Sequence, residues 1–261
     1  MASPQPPRKH TNPYIDRTRK HSTFFSKLVF ALSRAADVPL QYQVLAHGLG
    51  ASLINALGSD TILPYPPAAT HQGPLTNFLG LSPYRTILLS MSVGAAAKHV
   101  AWVTRVSQEE MSPTQSLAVG AFNATANTIN TLLFTAAATS PMRVPAVEWD
   151  LTSPRLLAGT ALFITGIALE WISEEQRKEF KDDPRNRGQV YSGGLFGWAR
   201  HINYGGYMLW RAGFALAAAG WKWGFFNGAL SFLAFTFSSI PELDEYCANR
   251  PMGGLQAQSS L

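Results

Sequence analysis

From Met111 to Met142 the chain reads MSPTQSLAVGAFNATANTINTLLFTAAATSPM, without one charged residue. At about 1.5 Å of rise per residue, a helix of this length crosses roughly 30 Å of hydrocarbon. Trp223 to Ile240 is equally free of charge. Two such segments in 261 residues shift the reading from soluble domains to a membrane protein. The mean hydropathy of +0.00 conceals this, because a basic leader and a charged central loop offset the apolar segments.

Working outward, six candidate spans lie near 38–58, 84–104, 114–138, 154–173, 205–221 and 222–240. The fold class implied is all-α, a polytopic membrane helix bundle of about six transmembrane spans. Cations test the topology, since Lys and Arg concentrate on the cytoplasmic side. With the N-terminus inside, fifteen of the 21 Lys and Arg fall on inner segments, namely the leader, Arg105, the loop from Arg177 to Arg200, and Arg250. Only Arg143 and Lys222 fall on outer loops. Both termini are therefore expected in the cytosol, with Pro64 to Pro83 on the far side. The net charge of +5 is explained by inner loops facing anionic lipid; it is not gathered on one stripe, which argues against a nucleic-acid partner.

The organisation expected is a disordered basic leader over 1–34, a transmembrane domain over 35–246 and a disordered tail over 247–261. The leader has no apolar core before a small-residue cleavage site, so no removable signal peptide is read there. Cys247 is the single cysteine, which excludes an internal disulfide and a multi-cysteine metal site. Ser173 to Phe180 is expected to carry the fourth span on as a charged helix, ended by Asp182-Asp183-Pro184.

Wound at 100° per residue, Ser116, Asn123, Asn127 and Asn130 form one polar stripe on the third span. Such a stripe either hydrogen-bonds to other helices or lines a wet cavity. The sequon at Asn123-Ala-Thr125 lies mid-membrane and should stay unmodified. Glu170 and Arg211 both fall in the inner halves of their spans and are expected to pair. Arg85, Arg155 and Lys98 are expected to snorkel to the interfaces. His47 and His99 have no second ligand at helical spacing and are read as hydrogen-bonded structural residues; no metal is implied.

The densest polar segment is Gly188-Gln-Val-Tyr-Ser-Gly-Gly-Leu-Phe-Gly-Trp-Ala-Arg-His-Ile-Asn-Tyr-Gly-Gly-Tyr207, a glycine-flanked turn that leads into the fifth span. Arg200 brings a forked cation, Asn203 an amide that donates and accepts, and the glycines allow close backbone approach. The segment resembles the cofactor-binding signature of the steroid 5-alpha-reductase C-terminal domain and of the uncharacterised multi-span membrane proteins grouped with it. The matching positions are Gly194, Leu195, Phe196, Arg200, His201, Asn203, Tyr204 and Gly206, and Gly213 to Ala217 resembles the run that follows, so the likeness covers 186–246. Three positions depart: Ile202 replaces a proline, Gly205 an aromatic residue and Tyr207 a glutamate.

The resemblance implies NADPH held at the cytosolic face by Asn186, Arg200, His201, Asn203, Tyr204 and Gly206, with Arg211 beside an anionic group. The implied activity is reduction of a carbon–carbon double bond in a sterol or other lipid of the endoplasmic reticulum; no catalytic proton donor is nominated. Arg200, His201, Tyr204 and Gly206 satisfy equally well the Arg-His-Pro-x-Tyr-x-Gly signature of membrane methyltransferases, which implies S-adenosylmethionine instead. Tyr207 and the unusual tail favour a third reading, a membrane protein of this fold without catalysis.

Overall fold

The computed structural model describes residues 24–62, 78–107, 111–140 and 151–243, and its long elements are all helices. They are α1 Phe24–His47, α2 Ala51–Ala56, α3 Pro83–Ala101, α4 Pro113–Thr135, α5 Pro154–Asp182, α6 Ile202–Ala219 and α7 Trp221–Ala234. Turns of π-helix extend α3 over Trp102–Val106 and α7 over Phe235–Ser239. Among the described residues the sole β pairing is an isolated bridge between Thr61 and Ala136, which ties the end of α4 to the segment after α2.

Three helices open on the same dipeptide, Ser82-Pro83, Ser112-Pro113 and Ser153-Pro154, with serine at the N-cap and proline in the first turn. Proline fits there because its fixed φ is already helical and a first-turn N–H has no helical partner to lose. At α4 the cap is doubled. Ser112 Oγ accepts from the Gln115 amide at 3.1 Å, and Gln115 Oε1 accepts from the Ser112 amide at 2.8 Å. Gly220, at φ 88°, separates α6 from α7 in a conformation that side chains other than glycine's resist.

The most extensive contact in the molecule is the antiparallel pairing of α5 with α6. Glycines at a spacing of seven meet across it. A Cβ on Gly159 would lie 2.7 Å from the carbonyl oxygen of Gly213, and one on Gly206 would lie 2.6 Å from the amide nitrogen of Glu170. The two backbones thus touch directly, as small residues permit when helices associate without a hydrophobic drive. Around this seam Tyr84, Leu88, Phe134, Phe163, Trp210 and Phe214 form the core. Tyr84 donates its hydroxyl to the Ala217 carbonyl at 2.6 Å. On the other side, α1 packs on α4 where Gly120 faces Ser33.

Helices fall in all six segments read as spans, with shifted ends, but 38–58 is divided at Gly48 and Gly50 between the end of α1 and the short α2. Two of them, Pro83–Val106 and Pro154–Asp182, are long and apolar enough to cross a membrane. Polar groups share the interior with the apolar core while large apolar side chains face outward: Phe225 and Phe237 are 79% and 76% exposed, whereas Arg34, Arg85 and Asn127 are each 0% exposed. α1 begins at Phe24, ahead of the expected leader boundary at residue 34, because Arg34 and Asp37 lie on its buried face and satisfy each other there. Residues 1–23, most of the loop from Pro64 to Pro83 and the tail 247–261 lie outside the described residues. α5 does continue past residue 173 to Asp182, as its charge pattern suggests, and Asp183 caps it.

Because the α5–α6 seam has no room for side chains, Gly206→Ala should destabilise the protein by about 1–3 kcal/mol. Its neighbour Gly205 faces open space, so Gly205→Ala should be neutral or stabilising by up to about 1 kcal/mol. Melting in detergent compares the two variants, and equal effects would show that the seam is not tight.

Candidate functional site

The polar turn stands on the end of α5. Asp183 grips Arg185, whose guanidinium and backbone N–H hold the half-buried Asp183 carboxyl below the usual carboxylate range. Asn186 closes the loop by donating to the Phe180 carbonyl at 3.0 Å. Gly194, at φ 53°, opens a short 3-10 turn in which the Leu195 amide donates to Gln176 Oε1 at 3.0 Å. The Arg177 guanidinium lies over Phe196 at 5.6 Å and also pairs with Glu174. The segment Gly194–Tyr204 is thereby tied to side chains that project from one helix.

The signature residues separate in depth. Arg200 is exposed, and His201 caps α6. Asn203 is buried and donates to Glu174 Oε1 at 2.8 Å. Gly206 belongs to the α5–α6 seam. His201 stacks on Tyr204 with ring centroids 5.5 Å apart, and Tyr204 stacks on Phe235 at 4.4 Å. Tyr207 meets Phe235 edge-on at 5.3 Å and Trp210 at 5.0 Å, so an aromatic ladder descends from the turn into the core. Arg211 lies at the foot of that ladder, 4.5 Å from the Trp210 ring centre.

At that depth four helices meet through polar side chains. Arg211 donates to Asn123 and Asn127 of α4, the latter at 3.2 Å, and to the Tyr207 hydroxyl at 3.1 Å. Asn127 donates to Asp37 at 2.7 Å; Asp37 also accepts from Arg34 at 3.1 Å and from Gln41 at 2.7 Å. Thr131 donates to Gln41 at 2.6 Å, and Asn130 accepts from Trp223 at 2.7 Å. The polar stripe of α4 therefore serves as interhelical glue. Arg34 Nε donates to His99 Nδ1 at 3.2 Å, which makes His99 a hydrogen-bonded structural residue, as its isolation suggested. His47 packs edge-on against Tyr42 at 5.5 Å.

Three expectations are corrected. Glu170 does not pair with Arg211; it pairs with Lys98 and accepts from Trp210 Nε1 at 2.7 Å. Residues 210 and 211 are about 100° apart on α6, so Trp210 turns to α5 while Arg211 turns to α4. Lys98 does not snorkel, because Glu170 offers it a buried partner. Nor does Arg85, which is buried and donates to the carbonyls of Leu45 at 2.6 Å and Ile62 at 3.0 Å, satisfying backbone groups where α1 and the post-α2 segment end. Arg34 lies in the segment read as leader, Asp37 between it and the first span, and Gln41 within that span, so no polar face was read across them. Their signal was nonetheless available, since the buried positions 26, 30, 34, 37, 41 and 44 of α1 recur every three or four residues.

Removing one member of a buried ion pair leaves a charge stranded. Lys98→Met should accordingly cost about 3–5 kcal/mol, and adding Glu170→Gln should recover part of the loss. Additive effects in detergent melting would mean that the two side chains do not meet.

Comparison with known proteins adds to this geometry. Residues 102–252, which include the turn, α5, α6 and α7, match the family described as "Protein of unknown function (DUF1295)". A relative from Ustilaginoidea virens named "Probable O-methyltransferase ustE" is 36% identical over 247 residues, covering 95% of this chain and 87% of the relative. No solved structure matches the chain. With more than half of its length, and the whole of the candidate site on α5 and α6, inside the family match, the chain belongs to the DUF1295 family of proteins of unknown function.

Proposed function

We propose that the protein is an S-adenosylmethionine-dependent O-methyltransferase of a cellular membrane. The observation that carries this reading is the likeness, along almost the whole chain, to a protein named a probable O-methyltransferase. It favours the methyltransferase form of the Arg200, His201, Tyr204, Gly206 signature over the NADPH-dependent form.

The charges around the turn suit the same choice. A dinucleotide phosphate needs cations, yet Arg177 is engaged by Glu174 and Arg185 by Asp183. A sulfonium is favoured by aromatic faces, and the Tyr204–Phe235 pair beside the turn provides them. The residues present therefore fit this cofactor. When bound, it supplies an electrophilic methyl group on a positively charged sulfur. Arg200 and His201 would hold its outer end, and Tyr204 would orient it. Gly206 permits close approach of the backbones beneath it.

The protein is read as multi-pass with about six crossings: two helices are long and apolar enough to cross a membrane, and the concentration of Lys and Arg on one set of loops supports both termini and the turn on the cytosolic side. The endoplasmic reticulum suits such a topology, with a membrane-soluble hydroxyl compound as the substrate.

Titration of the purified chain tests the reading. S-adenosylmethionine should bind and NADPH should not. Arg200→Ala should weaken binding by about 1.5–3 kcal/mol, the usual scale for a hydrogen bond to a charged group, with the melting temperature unchanged. Tighter binding of NADPH than of S-adenosylmethionine would return the protein to the reductase reading, and binding of neither to the non-catalytic one.

A further inference from the structure

The buried cluster where α1, α3, α4 and α6 meet contains more hydrogen-bond donors than it uses. Arg34 is 0% exposed, directs Nη1 to Asp37 and Nε to His99, and its Nη2 meets no acceptor. Arg211 donates one N–H from each terminal nitrogen to Asn127 and Asn123, so each nitrogen keeps a second N–H. Tyr207 accepts from Arg211 through its oxygen, which leaves its own hydroxyl proton available.

The cluster also carries an unbalanced cation. Asp37 offsets Arg34, and Glu170 offsets Lys98. Among the described residues Arg211 meets no carboxylate; two neutral amides, the Tyr207 phenol and the faces of Phe122, Tyr207 and Trp210 surround it. A buried guanidinium without a carboxylate is costly, and in a membrane interior such a charge marks a functional site by default.

Meanwhile, among the described residues, each carboxylate and the imidazole of the cluster already accept hydrogen bonds from neighbouring side chains. Asp37 accepts from Arg34, Gln41 and Asn127, Glu170 from Lys98 and Trp210, and Glu174 from Asn203 and Arg177. His99 presents its acceptor nitrogen to Arg34. A neutral aliphatic alcohol brought here would find these bases engaged. A hydroxyl that arrives already ionised would find its counter-charge.

Resting on the methyltransferase reading, we propose that the methyl acceptor is an acidic hydroxyl group, a phenol, enol or carboxylic acid, bound as its oxyanion with the charged oxygen received by Arg34 Nη2 and the Tyr207 hydroxyl beside Arg211. Arg34, Tyr207 and Arg211 are then the residues that select the substrate class. Tyr207, partly exposed and part of the aromatic ladder, links this site to the turn above it.

The probe is 4-nitrophenol, whose phenolate is coloured, added to the full chain in detergent without any cofactor and compared with empty micelles. Bound 4-nitrophenol should remain ionised about one pH unit or more below its titration in empty micelles, the direction an adjacent cation imposes. Its uncharged methyl ether, 4-nitroanisole, should bind at least about ten-fold more weakly, the equivalent of about 1.4 kcal/mol. Displacement by benzoate against displacement by phenol tells a carboxylate acceptor from a phenolate one. Arg34→Gln should abolish the ionisation shift. Tyr207→Phe, a gentler change at a partly exposed position, should reduce it several-fold even where Arg34→Gln fails to fold. An unshifted titration in the wild-type chain overturns the proposal, as does equal binding of the two probes or a shift that both variants retain. S-adenosylmethionine binding is measured in parallel on the same samples. If it binds while the phenol titration is unshifted, the oxyanion site falls and the methyltransferase reading stands; if only the phenolate binds, the reverse holds. Should Arg34→Gln lose S-adenosylmethionine yet keep the phenolate shift, the unbalanced cation serves the cofactor's carboxylate and the proposal fails.

Discussion

Direct contact between the backbones of α5 and α6 is the constraint from which the rest of the structure follows. Gly159 and Gly166 on one helix, and Gly206 and Gly213 on the other, remove the side chains that would hold the axes apart. Once the seam closes, every other position on α6 has a fixed outlook. Trp210 reaches Glu170 on α5, Arg211 reaches the asparagines of α4, and Asn203 reaches Glu174 just beyond the seam. A wider separation would stretch the bonds to Glu170 and Glu174 together, because a Cβ on Gly206, 2.6 Å from the Glu170 amide nitrogen, would have to move out to ordinary contact at 3.4 Å or more.

The polar interior that this seam organises is expensive and specific. In hydrocarbon, or in a dry protein core, an amide or guanidinium without partners costs several kcal/mol, so the hydrogen bonds among Asp37, Asn127, Gln41 and Thr131 dictate which helices may be neighbours. Asp37 is the hub, with donors from three different side chains. Such networks strengthen cooperatively and tolerate little substitution. Apolar packing on the outer faces has no comparable discrimination, since Phe225 or Phe237 would rest equally well against many surfaces.

Much of this was legible in the chain and some of it was not. Charge-free segments located α4 and the start of α7, and the period of the asparagines foretold the inner face of α4. The glycine-flanked turn was found from residue types alone, because few chemistries place Arg200, His201, Asn203 and Tyr204 together. Partner choice was beyond reach. Glu170 could have met Arg211 or Lys98 with equal plausibility, and only the rotation of α6 about its axis decides between them. The first helix was misplaced at its start because Arg34 and Asp37 are charged, and in sequence a charge reads as solvent-facing until its partner is known. Helix starts were more accessible than they seemed: the repeated Ser-Pro dipeptide marks α3, α4 and α5 alike, and is a local signal that needs no tertiary knowledge.

The uninterrupted length of α5 has one more consequence. Its 29 residues amount to about 43 Å, well beyond a hydrocarbon core of roughly 30 Å. In a bilayer its charged end must stand proud of the lipid, and that end carries Glu174, Gln176 and Arg177, to which the polar turn is fastened. The helix is thus a rigid post whose height above the headgroups depends on bilayer thickness and on its tilt. Thinner and thicker membranes would lift or lower the turn relative to the headgroups, so lipid composition becomes a mechanical input to the position of the turn.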